Sequence, residues 1–459
     1  VRPIRLVAAI AAASALVLAG CGVGGTGGAS GTGSGTVARA PELAPDQKVS
    51  ITFESYNFGQ AGAWTDTFNT VLDAFRTQYP NITVTAQKPQ GTSSNPAADA
   101  VSSVQTQAAT GKAPDVAQLG FSDLGFTVNQ LGAKPLDDLV GPDALNQAFG
   151  GANPFAPAAA TLGRLDGKTY GVPFVLSTPV LYYNASLFTA AGLDPAKPPA
   201  TWAEVAAAAA KIKAATGKEG AYADCVTTQA KDWCLQSIIR SNGGRVLSED
   251  RTKLEYADPQ SVQAVSMLAD MVRSGASPKF SQQQAVEAFT RGDLGMILES
   301  SSQQATFAKG AKGANWELRG AATPSFGAAP SIPTNSGAAL FVLSNDPAKQ
   351  RAAWDLITFL TSDRSFSTIA QKIGYLPLRT GLMNTTLKDW AAANPTTGIN
   401  VAQLNRMEPW VSFPGDSYLQ IRDGMMDAVE KVVLQGADPQ TTLSEAQKRG
   451  QALVPPGTK

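Results

Sequence analysis

Any chemistry this chain performs has to be done without imidazole, because none of its 459 residues is a histidine. A Ser-His-Asp triad, a His-ligated zinc and an imidazole general base are excluded. What remains is a pair of carboxylates, a Ser–Lys arrangement or a carboxylate-held metal. The reading developed below is capture without chemistry, with no catalytic residue, metal ligand or cofactor expected. The 37 Asp and Glu are matched by 37 Lys and Arg. A chain without net charge has no electrostatic reason to live on nucleic acid or to rely on polybasic attraction to lipid. Cys225 and Cys234 lie nine residues apart in a polar stretch. In an exported protein they read as a disulfide, with two free thiols as the alternative.

The elements that would position such residues alternate along the chain. Val49-Ser50-Ile51-Thr52-Phe53 alternates as a strand. Trp64 to Tyr79 carries Phe68, Val71, Leu72 and Phe75 at helical spacing and stops at Pro80. A strand at Ile82–Thr85, a helix from Ala97 to Thr110 and a strand at Asp115–Leu119 complete a β-α-β-α-β order, which predicts a parallel sheet covered by helices. Further on, strands are expected at Pro179–Tyr183, Gly295–Leu298 and Ala338–Val342. Helices are expected around Leu187 and at Trp202–Ala215, Ser261–Ser274, Lys349–Leu360, Asp363–Ile373, Tyr418–Leu434 and Thr442–Leu453. With 43% hydrophobic residues and about 100–200 residues per domain, the chain reads as a large α/β protein of two lobes.

The N-terminus carries an address. Arg2 and Arg5 precede an apolar run from Leu6 to Leu18, too short for the ~20 residues that span a bilayer but of the form of a secretory signal. Val1 reads as an alternative start codon. Leu18-Ala19-Gly20-Cys21 resembles a bacterial lipobox, which implies cleavage before Cys21, acylation of its thiol and anchoring outside the cytoplasmic membrane. Gly22 to Gly35 is almost entirely Gly, Ser and Thr and reads as a flexible tether. Residues 1–20 are thus expected to be a signal peptide and 21–47 a lipid-anchored linker.

Three segments carry a more specific resemblance. The first is Val172-Pro173-Phe174-Val175-Leu176-Ser177-Thr178-Pro179-Val180-Leu181-Tyr182-Tyr183-Asn184, followed by Pro198-Pro199-Ala200-Thr201-Trp202. The second runs from Asn335-Ser336-Gly337-Ala338 through Trp354 and Phe359-Leu360 to Gly374-Tyr375-Leu376-Pro377, and the third is Gln420-Ile421-Arg422 with its trailing helix. In this order, and over nearly all of Val49 to Leu453, they resemble the solute-binding proteins of bacterial carbohydrate ABC importers, most closely the branch that binds glycerol-3-phosphate and glycerophosphodiesters. The resemblance implies an α/β clamshell of the periplasmic-binding-protein type. Its chain would cross between lobes three times, near Ser177, Gly337 and Tyr375. Lobe 1 would hold residues 48–176 and 338–373, and lobe 2 residues 177–337 and 374–459.

The resemblance also implies a ligand set. Ser177 matches a phosphate-contacting serine, Gly337 a glycine offering its backbone N–H, Tyr375 a tyrosine with a hydroxyl tip, and Arg422 an arginine pairing with phosphate. A guanidinium can grip phosphate with two parallel hydrogen bonds; the competing role for Arg422 is an ion pair with Asp416 or Asp423. Ser301 is the preferred contact of Ser300–Ser302. The chain departs from the branch on the polyol side. Lys88 to Ser94 contains no tyrosine, Asp123 stands in for a family acid, and Trp233 alone occupies the place of a tryptophan pair. The implied partners are a phosphodiester or sugar and the permease subunits of the importer, with the binding protein itself a monomer. A neutral saccharide is the alternative ligand. An exported two-carboxylate glycosidase and an adhesive surface lipoprotein are the rival classes.

Overall fold

The computed structural model describes residues 39–60, 63–92, 96–230 and 232–456, all within the unit Ala38–Lys459. The signal peptide, the lipobox and the Gly-rich tether lie outside the described residues. Among the described residues eleven strands run in chain order as β1 (Val49–Glu54), β2 (Ile82–Gln87), β3 (Val116–Gly120), β4 (Arg164–Leu165), β5 (Lys168–Thr169), β6 (Gly171–Ser177), β7 (Pro179–Asn184), β8 (Glu219–Ala223), β9 (Leu294–Ser300), β10 (Leu318–Ala321) and β11 (Ser336–Val342). They form a five-stranded sheet in the order β2-β1-β3-β11-β6, a four-stranded sheet in the order β10-β7-β9-β8, and a β4-β5 hairpin. Each large sheet has its own apolar core.

The first sheet shows how the sequence pattern becomes structure, and where it falls short. The helix Trp64–Gln78 buries Phe68, Val71, Leu72 and Phe75, the stripe that its i, i+3, i+4, i+7 spacing aims at one side. As expected from the β-α-β-α-β order, β1 is parallel to β2 and β3. The sheet as a whole is not parallel, however: β11 is inserted antiparallel between β3 and β6. Its direction follows from its origin. The chain reaches β11 from the second sheet, so it enters at the end where β3 and β6 leave, and Ala338 lies opposite Gly120 while Ser336 lies opposite Ser177.

The most specific sequence motifs are accounted for by local structure. In Pro179–Asn184 the side chain of Tyr182 packs edge-on against Phe307, and the Tyr183 hydroxyl donates to the Pro195 carbonyl at 2.8 Å. The Asn184 side chain caps the next helix by accepting from Leu187 N–H. Thr201 and Glu204 form a capping box on the helix Trp202–Thr216, and Gly217 ends it at φ 67°.

The passages between sheets differ from the expected positions in one respect. The chain leaves the first sheet at Ser177 and enters the second at Pro179, then returns between β10 and β11. The third passage is not at Tyr375: Leu376, Leu378, Leu382, Leu387, Leu404 and Met407 still pack in the first core. Trp410 and Phe413 are the next to join the second. Family position implies lobe 2 for the segment from Gly374 to Met407. Its leucines instead complete the first core, held there by the Leu376 N–H bond to the Leu176 carbonyl.

Candidate functional site

Both sheets direct the same kind of end toward one cleft. The C-terminal ends of β3, β6, β8 and β9 meet there, at Gly120, Ser177, Asp224 and Ser300, together with the N-terminal end of β11. In open α/β sheets a ligand crevice lies outside the carboxyl ends of the strands, because loops leaving those ends are free to vary while the strands stay packed. The cavity measures about 560 Å³, within the range for small-molecule sites. Its wall on the first core's side includes Tyr56, Trp64, Asp123 and Tyr375; the wall on the second core's side includes Asp224, Trp233, Glu299 and Trp410.

The aromatic groups are fixed by packing. The Tyr375 ring meets Trp64 edge-on at 5.0 Å, and its hydroxyl lies close to that of Tyr56. Burial pushes the Tyr56 hydroxyl up to about 12 and also raises Tyr375, so both are neutral hydroxyls. Trp410 comes from far along the chain, yet its indole N–H donates to Asp232 Oδ1 at 3.0 Å, beside Trp233. Asp232 is raised by burial, opposed by the nearby charge of Arg422. Cys225 and Cys234 are joined by a disulfide with Cα atoms 5.0 Å apart. That closes the loop between two cleft residues, Asp224 and Trp233.

A family model described as bacterial extracellular solute-binding protein matches residues 70–397. The chain belongs to this family. Its relatives include the sn-glycerol-3-phosphate-binding periplasmic protein UgpB of Pectobacterium atrosepticum, 30% identical over 304 residues, or 63% of this chain and 67% of that one. The UgpB of Brucella melitensis is 30% identical over 303 residues, or 63% of this chain and 68% of its own. Among solved structures, UgpB from Mycobacterium tuberculosis in complex with glycerophosphocholine superposes with a TM-score of 0.75 at 20% identity, covering 88% of this chain and 98% of that one. The cyclic alpha-maltosyl-1,6-maltose binding protein from Arthrobacter globiformis gives 0.74 at 21%, covering 89% and 99%. These two likenesses establish the fold: the expected two-lobe α/β solute-binding architecture is the one found.

Five of the seven expected ligand residues of this solute-binding protein line the one cleft: Asp123, Ser177, Trp233, Gly337 and Tyr375. Gly337 is required by its backbone. At φ 122° an L side chain is strained, and a Cβ there would run into the Val175 carbonyl oxygen. Asp123 is buried, and its Oδ1 accepts from the Tyr418 hydroxyl at 2.8 Å. That bond ties the end of β3 to the helix Tyr418–Gln435. Of the serine turn, Ser300 and Ser302 face the cleft, joined to each other at 2.8 Å. Ser301 lies beneath them, its hydroxyl buried without a hydrogen-bond partner.

Arg422 is not among the residues lining the cleft. Both its Nε and its Nη2 donate to Asp423 Oδ1, at 2.9 and 2.7 Å, so the ion pair weighed as its competing role is the one formed. Asp416, the other acid weighed, accepts instead from Gln130. Sequence reasoning missed Asp224, Glu299, Trp410 and Tyr56. The described lining therefore contains three carboxylates, Asp123, Asp224 and Glu299, and neither Lys nor Arg. No group of three or more potential metal ligands occurs among the described residues.

Proposed function

We propose that this solute-binding protein captures glycerol-3-phosphate or a glycerophosphodiester such as glycerophosphocholine in the cleft and delivers it to an ABC permease, without altering it chemically. The observation that carries the reading is the convergence of Ser177, Gly337, Tyr375 and Trp233, from distant parts of the chain, on one cavity of ligand size. The kinship to UgpB proteins supports the solute class. The two cores act as jaws, and solute contacts made from both sides favour the closed form, since only differential contact shifts such an equilibrium. Closure brings Arg422 toward the solute; a charge-assisted hydrogen bond of about 1.5–3 kcal/mol leaves most of the ~8 kcal/mol of micromolar affinity to hydroxyl and aromatic contacts. The protein works as a monomer outside the cytoplasmic membrane. Leu18-Ala19-Gly20-Cys21 and the Gly-rich stretch after it support a lipid anchor on Cys21.

The described lining, which contains neither Lys nor Arg, favours a second reading, a neutral mono- or oligosaccharide held by hydroxyls and stacked on tryptophan. Isothermal titration of the full chain and of Arg422→Ala with glycerol-3-phosphate, glycerophosphocholine and a set of disaccharides separates the two. The first reading expects the phosphate-bearing ligands to bind and the substitution to weaken them by about tenfold or more. Binding of neutral sugars alone selects the second, and no binding at all refutes both.

A further inference from the structure

Asp224 and Glu299 stand at the ends of adjacent parallel strands on the cleft wall. They are 1% and 2% exposed, so neither charge is well solvated. Asp224 Oδ2 accepts from the Gln282 amide at 2.6 Å, and Glu299 Oε1 from the Ser300 N–H at 2.6 Å. The two remaining oxygens, Asp224 Oδ1 and Glu299 Oε2, have no hydrogen-bond partner, while the parallel register that pairs Ala223 with Leu298 sets the next two residues, Asp224 and Glu299, side by side. The groups that face the pair are Tyr182 from β7, Tyr222 from β8 and Gln282 from the helix Gln282–Arg291, with Glu430 of the helix Tyr418–Gln435 beside Tyr222. Among the described residues no Lys or Arg pairs with either carboxyl.

Two ionised carboxylates cannot face each other in such a place without a cation, whereas one proton between them satisfies both orphan oxygens. We infer that Asp224 and Glu299 share a single proton on the cleft wall, and that an anionic solute is captured together with a proton taken from the medium. The inference rests on the reading of this cleft as the capture site. An anion entering a cavity that already holds three carboxylates raises the pair's hold on its proton. By reciprocity, a protonated pair holds the anion more tightly than an ionised one. A neutral saccharide adds no charge and so lacks the coupling. Burial raises Asp224 to about 6 and Glu299 well above its ordinary value, so the pair keeps its proton above the pH at which an exposed carboxyl loses it.

The test is calorimetric titration of the full chain with glycerophosphoglycerol, a phosphodiester that keeps one negative charge throughout, in buffers of different ionisation enthalpy from about pH 5 to about pH 8. Proton uptake is expected, with affinity falling by up to about tenfold per pH unit as the pair ionises. Asp224→Asn and Glu299→Gln, each able to donate to the surviving carboxylate, are expected to abolish the uptake and flatten the pH profile. Infrared difference spectra of the ligand-free protein read the same proton independently, as a carboxylic-acid carbonyl band lost on alkalinisation and absent from both variants. Binding without proton uptake, or a ligand-free protein with no such band, overturns the inference alone. No binding of glycerophosphoglycerol overturns it together with the reading of the cleft.

Discussion

Removing the disulfide with Cys225→Ala/Cys234→Ala tests how the cleft is held. The bond closes a loop of nine-residue separation, and cross-linking so short a loop lowers the unfolded chain's entropy by an amount equivalent to about 2.5–3 kcal/mol. Both cysteines are fully buried, so deleting their sulfurs adds up to about 1 kcal/mol each in lost packing. The sum predicts a loss of about 3–5 kcal/mol. The loop also begins beside Asp224 and ends beside Trp233, two cleft residues, so freeing it allows both to move and solute affinity is expected to fall by about tenfold, the equivalent of ~1.4 kcal/mol. Urea unfolding followed by circular dichroism gives the first quantity and calorimetric titration the second. A stability change below about 1 kcal/mol with unchanged affinity would refute the reasoning, because neither the chain entropy nor the buried sulfur would then matter.

Other substitutions probe separate parts of the account. Arg379 is buried and donates to the carbonyls of Thr361, Gly150, Asn153 and Ala148 beneath the Phe155 ring. Arg379→Met leaves those acceptors unpaired and is expected to cost about 3–5 kcal/mol in urea unfolding. Tyr418→Phe deletes the bond to Asp123 and is expected to cost about 1.5–3 kcal/mol; equal midpoints for wild type and variant would show that the bond contributes nothing. The Asp224–Glu299 pair has a definite effect on pH-dependent stability. Its folded-state affinity for protons is raised above the unfolded value, so its contribution is most favourable below about pH 4 and is lost as pH rises through about 6. Asp224→Asn should therefore unfold at higher urea than wild type at pH 7–8, with the difference shrinking toward pH 4–5; a constant difference would contradict this sign.

Elements with a strong local period were legible in the sequence, and elements defined by their partners were not. The stripe Phe68, Val71, Leu72, Phe75 announced a helix because its period is complete within two turns. β11 was visible as a strand, but nothing local in Ala338–Val342 states that it pairs antiparallel with β3 and β6. The same distinction governs the cleft. Ser177, Gly337 and Tyr375 were reached through motifs at the points where the chain passes near the opening, and Gly337 carries its own physical signature in its positive φ. Trp410 could not be paired with Trp233 by inspection, since only the fold brings residues so distant in sequence to one wall. Glu299 left a readable trace: an acid directly after the apolar run Gly295–Leu298 lies in register with a buried strand, and a buried acid needs a partner. Asp224, next to Cys225, is that partner.

The central claim is that a phosphate-bearing polyol is held between the two cores. A crystal structure of the protein grown with glycerophosphocholine addresses it directly. The account predicts the ligand enclosed between Tyr375 and Trp233, within hydrogen-bonding distance of Ser177 and the Gly337 N–H, and the two cores drawn closer around it. Glycerophosphocholine bound elsewhere on the surface, or a cleft that excludes it while accepting a neutral sugar, would contradict the claim.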